Sequence, residues 1–315
     1  MTPPRVLALV DEYLAARRGL GFDADGPRWV LASFARHVDR IGHQGPITAD
    51  LAVGWALASR SSDPGCATRR LSAIRPFVRY CAVLDPATEI PPTLGRLSGR
   101  KPPHIYSDAE ITALLQQATL LLPRGGLRPQ TYVALFSLLV ATGLRVSEAC
   151  RLTSNDVDLI DGILTVRSSK FRKSRLVPLH ATATQALATY AAHRDQRRAT
   201  LPGSRFFQTD HASALPRATV EKTFSRIRRR LAWSADGRTR RPRIHDLRHT
   251  FAVRRFLAWS SEGIDINRQI LALATYLGHA KVSDTYWYLS AVPELMVLTA
   301  HRFEAFARAE EEAIS

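Results

Sequence analysis

A histidine, His279, is followed nine residues later by Tyr288, with Tyr286 between them, in the stretch Tyr-Leu-Gly-His-Ala-Lys-Val-Ser-Asp-Thr-Tyr-Trp-Tyr-Leu that runs from Tyr276 to Leu289. Gly278 can end the apolar helix before it, and Ser283 or Asp284 can cap the next, so a turn sets the imidazole and the phenols on adjoining elements facing one cleft. A phenol placed there is a candidate nucleophile. A Tyr/Trp/Tyr cluster on a helix is first of all a core-packing feature, so this stretch needs partners from elsewhere in the chain.

Three other places offer them. Arg145 follows an apolar run that ends in Ala141-Thr-Gly143-Leu; it is either a buried cation paired with Glu148 or one held at a cleft to receive an anion. Lys170 lies in the basic segment Ser168-Ser-Lys170-Phe-Arg172-Lys173-Ser. In Arg243-Ile-His245-Asp-Leu-Arg248-His249, His245 and Arg248 are three apart and share one side of a helix. His245, Asp246 and His249 also invite a zinc reading, but no Glu follows the first histidine and no third ligand is evident, so neither a metal nor a cofactor is expected.

The 315 residues are 45% hydrophobic, enough for a sizeable core and for two domains rather than one. Lys and Arg total 44 against 28 Asp and Glu, a formal charge of +16 that calls for a polyanionic partner, nucleic acid before an anionic membrane surface. Most of the excess is arginine, whose planar fork grips phosphate bidentately. The three cysteines, Cys66, Cys81 and Cys150, have no ligand spacing and read as reduced thiols. No signal-like N-terminus and no apolar run near the roughly 18 residues of a membrane span are present, so the expected location is cytoplasmic and, given the charge, nucleoid-associated, with no membrane partner.

Apolar residues recur at helical spacing from Val6 to Leu84, with breaks at Gly19-Leu-Gly21, at Gly42 to Gly45 and at Ser61 to Gly65, which predicts four short helices in a bundle. Arg69, Arg70, Arg75 and Arg79 make the last of these basic, either a solvated face or one that lies along a phosphate backbone. Pro86 to Pro103 is rich in Pro and Gly among Arg96, Arg100 and Lys101, and reads as an exposed basic linker. Ser107-Asp-Ala-Glu110 is a capping box that opens the second domain. Thr131 to Ala141 predicts a buried helix. Ile163 to Arg167 and Arg175 to Leu179 predict a hairpin around the basic tip that holds Lys170, Arg172 and Lys173. Helices follow over 181–194, over 218–233, where Lys222, Arg226, Arg228, Arg229 and Arg230 crowd one surface, after Arg243, over 266–277, and over Pro293 to Ala313.

Taken in order, Ala141-Thr-Gly-Leu-Arg145, Lys170 ahead of Arg175-Leu-Val-Pro-Leu179, His245-Asp-Leu-Arg248-His249, and Leu277-Gly-His279 with Tyr288, the sequence resembles the tyrosine recombinases, the phage integrase and Xer-like family. The resemblance implies a mainly α fold with a small β-hairpin or sheet. It divides into a helical core-binding domain over 1–90, a linker over 91–105 and a catalytic domain over 106–315. It implies metal-independent cleavage and religation of double-stranded DNA, with Tyr288 forming a 3′-phosphotyrosyl intermediate and Arg145 and Arg248 clamping the phosphate. Lys170 would protonate the departing 5′-oxygen, His245 would assist proton removal, and His279 would hydrogen-bond the phosphate, with Glu148 steadying the first arginine. Arg69, Arg70, Arg75, Arg79, Arg172, Lys173, Arg226 and Arg229 would touch DNA. A homotetramer, or a mixed tetramer with related recombinases, would assemble on the DNA, with the terminal helix as an arm to a neighbour. The absence of an evident arm-binding domain points toward a Xer-like or transposon recombinase. The alternatives are a type IB topoisomerase-like enzyme and a DNA-binding regulator. Two departures stand out: Ser169-Lys170-Phe171 replaces the usual Gly-Lys-Gly, and Leu-Ser rather than Thr-His follows Tyr288.

Overall fold

The computed structural model describes residues 6–22, 25–59, 61, 63, 65–95, 102–167, 174–197, 201–234 and 241–291. Lys170, Arg172 and Lys173, and the helix expected from Pro293 to Ala313, lie outside the described residues. The chain separates into two compact units, Met1–Arg100 and Lys101–Ser315.

The first unit is a bundle of α1 (Val6–Gly19), α2 (Asp25–Arg40), α3 (Ala49–Leu57) and α4 (Cys66–Leu84). Its core is the apolar side of each helix: Val10 and Leu14, Leu31 and Phe34, Trp55, then Leu71, Ile74, Phe77 and Val78. Phe34 and Trp55 meet edge to face with centroids 5.2 Å apart. Thr48 caps α3 by accepting the Leu51 amide. The described first part of the Pro-rich stretch after α4, residues 86–95, holds no helix, as its composition dictates, but it is not free of the bundle. Arg75 donates to the Pro91 carbonyl (2.8 Å) and to Thr93 (2.9 Å), Thr68 donates to the Leu94 carbonyl, and the Glu89 amide donates to Ile47. Residues up to Leu94 are therefore bound to the bundle by side chains of α4, which composition alone does not disclose.

The second unit opens with α5 (Asp108–Thr119), where Ser107 and Glu110 form both halves of the expected capping box. Next comes α6 (Leu127–Thr142), buried on most sides through Tyr132, Leu135, Phe136, Leu138 and Leu139 and stopped by Gly143 in the left-handed conformation (φ 61°). The short α7 (Val146–Arg151) leads to an antiparallel sheet ordered β1 (Val157–Asp158), β2 (Ile163–Val166), β3 (Arg175–Pro178). The expected hairpin is β2–β3, with Leu164 opposite Val177 and Val166 opposite Arg175; β1 adds a strand too short to show a period in sequence. Leu164 and Val177 face the core, so the two-residue pleat turns Arg175 to that same inner side and sends Leu176 to solvent. The helices α8 (Ala181–Arg197) and α9 (Arg217–Arg230) complete the main core around α6. A smaller core, made of Phe251, Phe256, Ile270, Leu273, Leu277 and Tyr288, joins α10 (Asp246–Ser261), α11 (Ile266–Leu277) and α12 (Ser283–Ala291). All three cysteines are free thiols, and among the described residues no helix is long and apolar enough to cross a membrane.

Because Arg75 supplies two of the ties that hold the segment at 91–94, Arg75→Met is expected to leave the helical circular dichroism unchanged while speeding proteolytic cleavage between Pro86 and Gly95 several-fold. Equal cleavage rates in the variant and the parent would show that the segment is held by something else.

Candidate active site

The centre of the site is the end of a helix. In α11 the last carbonyls have no partners within the helix and must find them elsewhere. Gly278, at φ 69°, turns the chain into a left-handed cap, so that its own amide reaches the Thr275 carbonyl (3.0 Å) and the His279 amide reaches Ala274 (2.9 Å). Three carbonyls remain, and each accepts from a different arginine. Arg175 Nε donates to Tyr276 (2.7 Å), Arg248 Nη2 to Leu277 (2.7 Å) and Arg145 Nη2 to Gly278 (2.9 Å). The negative end of the helix dipole favours cations at this point. Three guanidinium groups from β3, α10 and the residue before α7 are thus brought to one spot by main-chain hydrogen bonding.

Glu148 binds two of them together. Its buried carboxylate accepts from Arg145 Nη1 (2.7 Å), from the Arg145 amide (3.0 Å) and from Arg175 Nη1 and Nη2 (3.2 and 2.9 Å). Burial alone would raise its pKa, but Arg175 and then Arg145 outweigh it and hold the acid at about 2. Both alternatives open for Arg145 in the sequence therefore coexist: it is paired with Glu148, and its guanidinium still carries more N–H groups than these contacts use. Arg248, 2% exposed, also donates to the Gly143 carbonyl (2.9 Å), so one side chain bridges the capped ends of α6 and α11. Burial, then Arg145, lowers its pKa to about 10, which leaves it a cation at neutral pH. Glycine is required at both caps. A Cβ on Gly278 would lie 2.8 Å from Arg175 Nη1, and one on Gly143 would lie 2.7 Å from Phe251, each on top of a positive φ.

Tyr288, on α12, points into this place. It is 2% exposed, its ring stacks near His279 (centroids 6.0 Å) and packs across His249 (5.3 Å). Burial raises the pKa of its phenol, while Arg248 first and Arg145 second pull it back down. Tyr286, the rival two residues earlier, is 44% exposed. His279 is held by Thr285, Nδ1 to Oγ1 at 2.6 Å, and burial followed by Arg248 and Arg145 keeps its pKa at about 4. His245 precedes α10 and is exposed; partial loss of hydration, then Arg248 and Arg243, lower its pKa. Arg145, His245, Arg248, His279 and Tyr288 therefore lie together, while Lys170, in the segment expected to form the hairpin tip, falls outside the described residues. Three guanidinium charges against one carboxylate leave a positive excess suited to a phosphodiester, beside a phenol able to attack it. Among the described residues no group of three or more His, Cys, Asp or Glu side chains is arranged to hold a metal ion.

Residues 109–294 match the phage integrase family. The chain belongs to that family, the tyrosine recombinases. The recombinase is 38% identical to y4rB of Sinorhizobium fredii, named for an integrase/recombinase, over 94% of this chain and 96% of that one. It is 29% identical to the tyrosine recombinase XerD of Bradyrhizobium diazoefficiens, over 92% and 93% of the two chains. Its fold is similar to that of the Tn1549 transposon integrase in complex with transposon right end DNA (TM-score 0.65, 18% identity, 96% of this chain and 100% of that one). It is also similar to a lambda integrase tetramer bound to a Holliday junction (TM-score 0.63, 17% identity, 91% and 78% coverage).

Two residues of the recombinase's site were not singled out from its sequence. Arg175 stood there as the first residue of a strand, and only the pleat, which pairs its direction with that of Val177, marks it as inward. His249 entered only as a rejected metal ligand. The arginines expected to touch DNA divide. Arg69, Arg79, Arg226 and Arg229 are exposed, although Arg69 pairs with Asp63. Arg70 instead lies over the Trp55 ring, 3.9 Å from its centroid, and Arg75 holds the segment at 91–93. In these two cases a long stem and a planar head serve packing as well as charge.

Glu148 has a folded pKa below the ordinary value of 4.5, so its stabilisation is complete above that pH and is lost as pH falls toward about 2. Glu148→Gln is expected to cost on the order of 3 kcal/mol at pH 7 and to flatten the acid side of the stability curve, read by urea unfolding at pH 7 and pH 3. An unchanged difference between the two pH values would contradict the ion pairing described.

Proposed function

We propose that this recombinase cuts and rejoins double-stranded DNA at a specific site through Tyr288. The phenolic oxygen attacks the phosphorus in line, forming a 3′-phosphotyrosyl ester as the bond to the 5′-oxygen breaks, so the ester energy is kept for religation and no cofactor is consumed. Arg145 and Arg248 hold the nonbridging oxygens, His279 donates to the phosphate, His245 takes part in proton transfer at the open edge, and Lys170 protonates the 5′-oxygen. Glu148 and Arg175 keep the arginines in place. The observation that carries this reading is the gathering of Arg145, Arg175 and Arg248 on the α11 terminus beside the buried Tyr288. The cations come preorganised, so no rearrangement is required when charge builds on the phosphate.

The first unit acts as the core-binding domain, with Arg69 and Arg79 toward the phosphate backbone and Arg226 and Arg229 of the catalytic unit in a like role. Four protomers, identical or mixed with related recombinases, assemble on two duplexes; the lambda integrase tetramer bound to a Holliday junction supports this assembly. Transposition is supported in the same way by the Tn1549 transposon integrase in complex with transposon right end DNA. A nucleoid-associated, cytoplasmic location follows from such a substrate.

On a nicked suicide substrate carrying the cognate site, the parent chain and Tyr286→Phe are expected to form a covalent complex and Tyr288→Phe none. Trapping that survives Tyr288→Phe would move the nucleophile. Arg145→Ala, and Arg248→Lys in place of a truncation that would orphan two buried carbonyls, are expected to slow cleavage by about two to three orders of magnitude while DNA affinity changes little. A gel-shift loss as large as the rate loss would make these residues grip rather than chemistry.

A further inference from the structure

His249 sits at the contact point of the site and yet has no part in the mechanism above. One turn along α10 from His245, it meets the His245 ring at 5.0 Å, the Trp287 ring at 5.5 Å and the Tyr288 ring at 5.3 Å between centroids. No ring contact joins His245 to Tyr288 among the described residues, so His249 lies between them. Its side chain is 12% exposed, and its Nδ1 is buried with no hydrogen-bond partner among the described residues. A buried imidazole nitrogen without a partner is costly unless it has a use. The other nitrogen, Nε2, lies 4.0 Å from Oδ1 of Asp246, a fully buried carboxylate fixed by Arg243 through its side chain (2.7 Å) and its amide (2.8 Å). The Tyr288 ring, the imidazole and the Asp246 carboxylate are thus neighbours in that order, the sequence of groups that serves to draw a proton from a nucleophile and to stabilise the cation that results once the phenol hydroxyl turns to Nδ1.

We propose that His249 is the proton acceptor for Tyr288, with Asp246 behind it. This rests on Tyr288 being the nucleophile. As phosphorus is attacked, the Oη–H bond of Tyr288 breaks, the proton passes to Nδ1 of His249, and the electron pair stays on the oxygen that bonds to phosphorus. The P–O5′ bond breaks with its pair on the leaving oxygen, which the general acid protonates. The imidazolium faces Asp246, and the proton returns to the phenol on religation. In the free protein the groups around His249 oppose its protonation: burial first, then His245, Arg243, Arg248 and His279 keep its pKa at about 3. A phosphate lodged on Arg145 and Arg248 supplies the negative charge that offsets these cations, so the base gains strength when DNA is bound. His245 is left free to work at the open, solvent-facing edge of the site.

The test separates proton transfer from packing by changing the phenol. His249→Phe keeps a ring against Tyr288 and Trp287 but removes both nitrogens. With tyrosine at position 288, cleavage of a nicked suicide substrate by this variant is expected to fall by about 100-fold or more, the usual size of a lost general base. With 2,3-difluorotyrosine at 288, a phenol that ionises far more readily, the same variant is expected to come within a few-fold of the parent carrying that residue. A wild-type rate in His249→Phe with tyrosine, or a loss that difluorotyrosine does not restore, overturns the proposal, the second outcome assigning His249 to packing alone. Rescue of His245→Phe instead of His249→Phe would likewise hand the role to His245. Thermal melting is followed in parallel, and His249→Asn takes the place of the phenylalanine variant if that chain does not fold, with the same readout. The underlying reading fails separately: if residue 288 is not the nucleophile, the parent chain gives no DNA adduct on that residue with either phenol.

Discussion

Everything at the active site depends on the main-chain oxygens at the end of α11. A helix must dispose of its last carbonyls, and here the left-handed cap at Gly278 accounts for two while Tyr276, Leu277 and Gly278 are left to Arg175, Arg248 and Arg145. Three like charges repel one another, and no arrangement of the side chains by themselves would gather them. The carbonyls, the helix dipole and Glu148 supply the attraction, and the repulsion that remains is what a phosphodiester relieves. The catalytic field is therefore a by-product of capping a helix correctly.

The tyrosine and the histidines show the other side of the same balance. Seclusion from water raises the phenol of Tyr288 and lowers the imidazoles of His279 and His249, so the neutral form of each is favoured before substrate arrives. Arg248 and Arg145 favour the phenolate that burial opposes, so the cations that await an anion also govern the ionisation of Tyr288.

Much of this was legible from residue types and order. The helical spacing of Val6 to Leu84, the Ser107/Glu110 capping box, the glycine stops at Gly143 and Gly278 and the β2–β3 hairpin are local signals, and local physics decides them. What stayed hidden was non-local. That Arg175 joins Arg145 on Glu148, or that Arg248 reaches Leu277 and Gly143, depends on a fold that brings together positions 27, 29 and 105 residues apart. Arg70 and Arg75 have a second duty that was hidden for the same reason: a basic helix face reads as solvated or phosphate-binding, and only the fold sets Trp55 and the Pro91 carbonyl beneath it. His249 was passed over because its neighbours in sequence suggested a ligand set, whereas its neighbours in space are aromatic rings.

The double employment of Arg248 bears on how such a protein decays. Replacing that guanidinium strands two buried oxygens, so a lineage released from selection for recombination would shed folded chains before it shed this cation. Its presence in a distant descendant is accordingly a record of fold maintenance. The hydroxyl of Tyr288 leans on that same cation, but a phenylalanine ring would fill nearly the same volume, so under the proposed chemistry its retention or disappearance is the better witness to whether recombination is still in use.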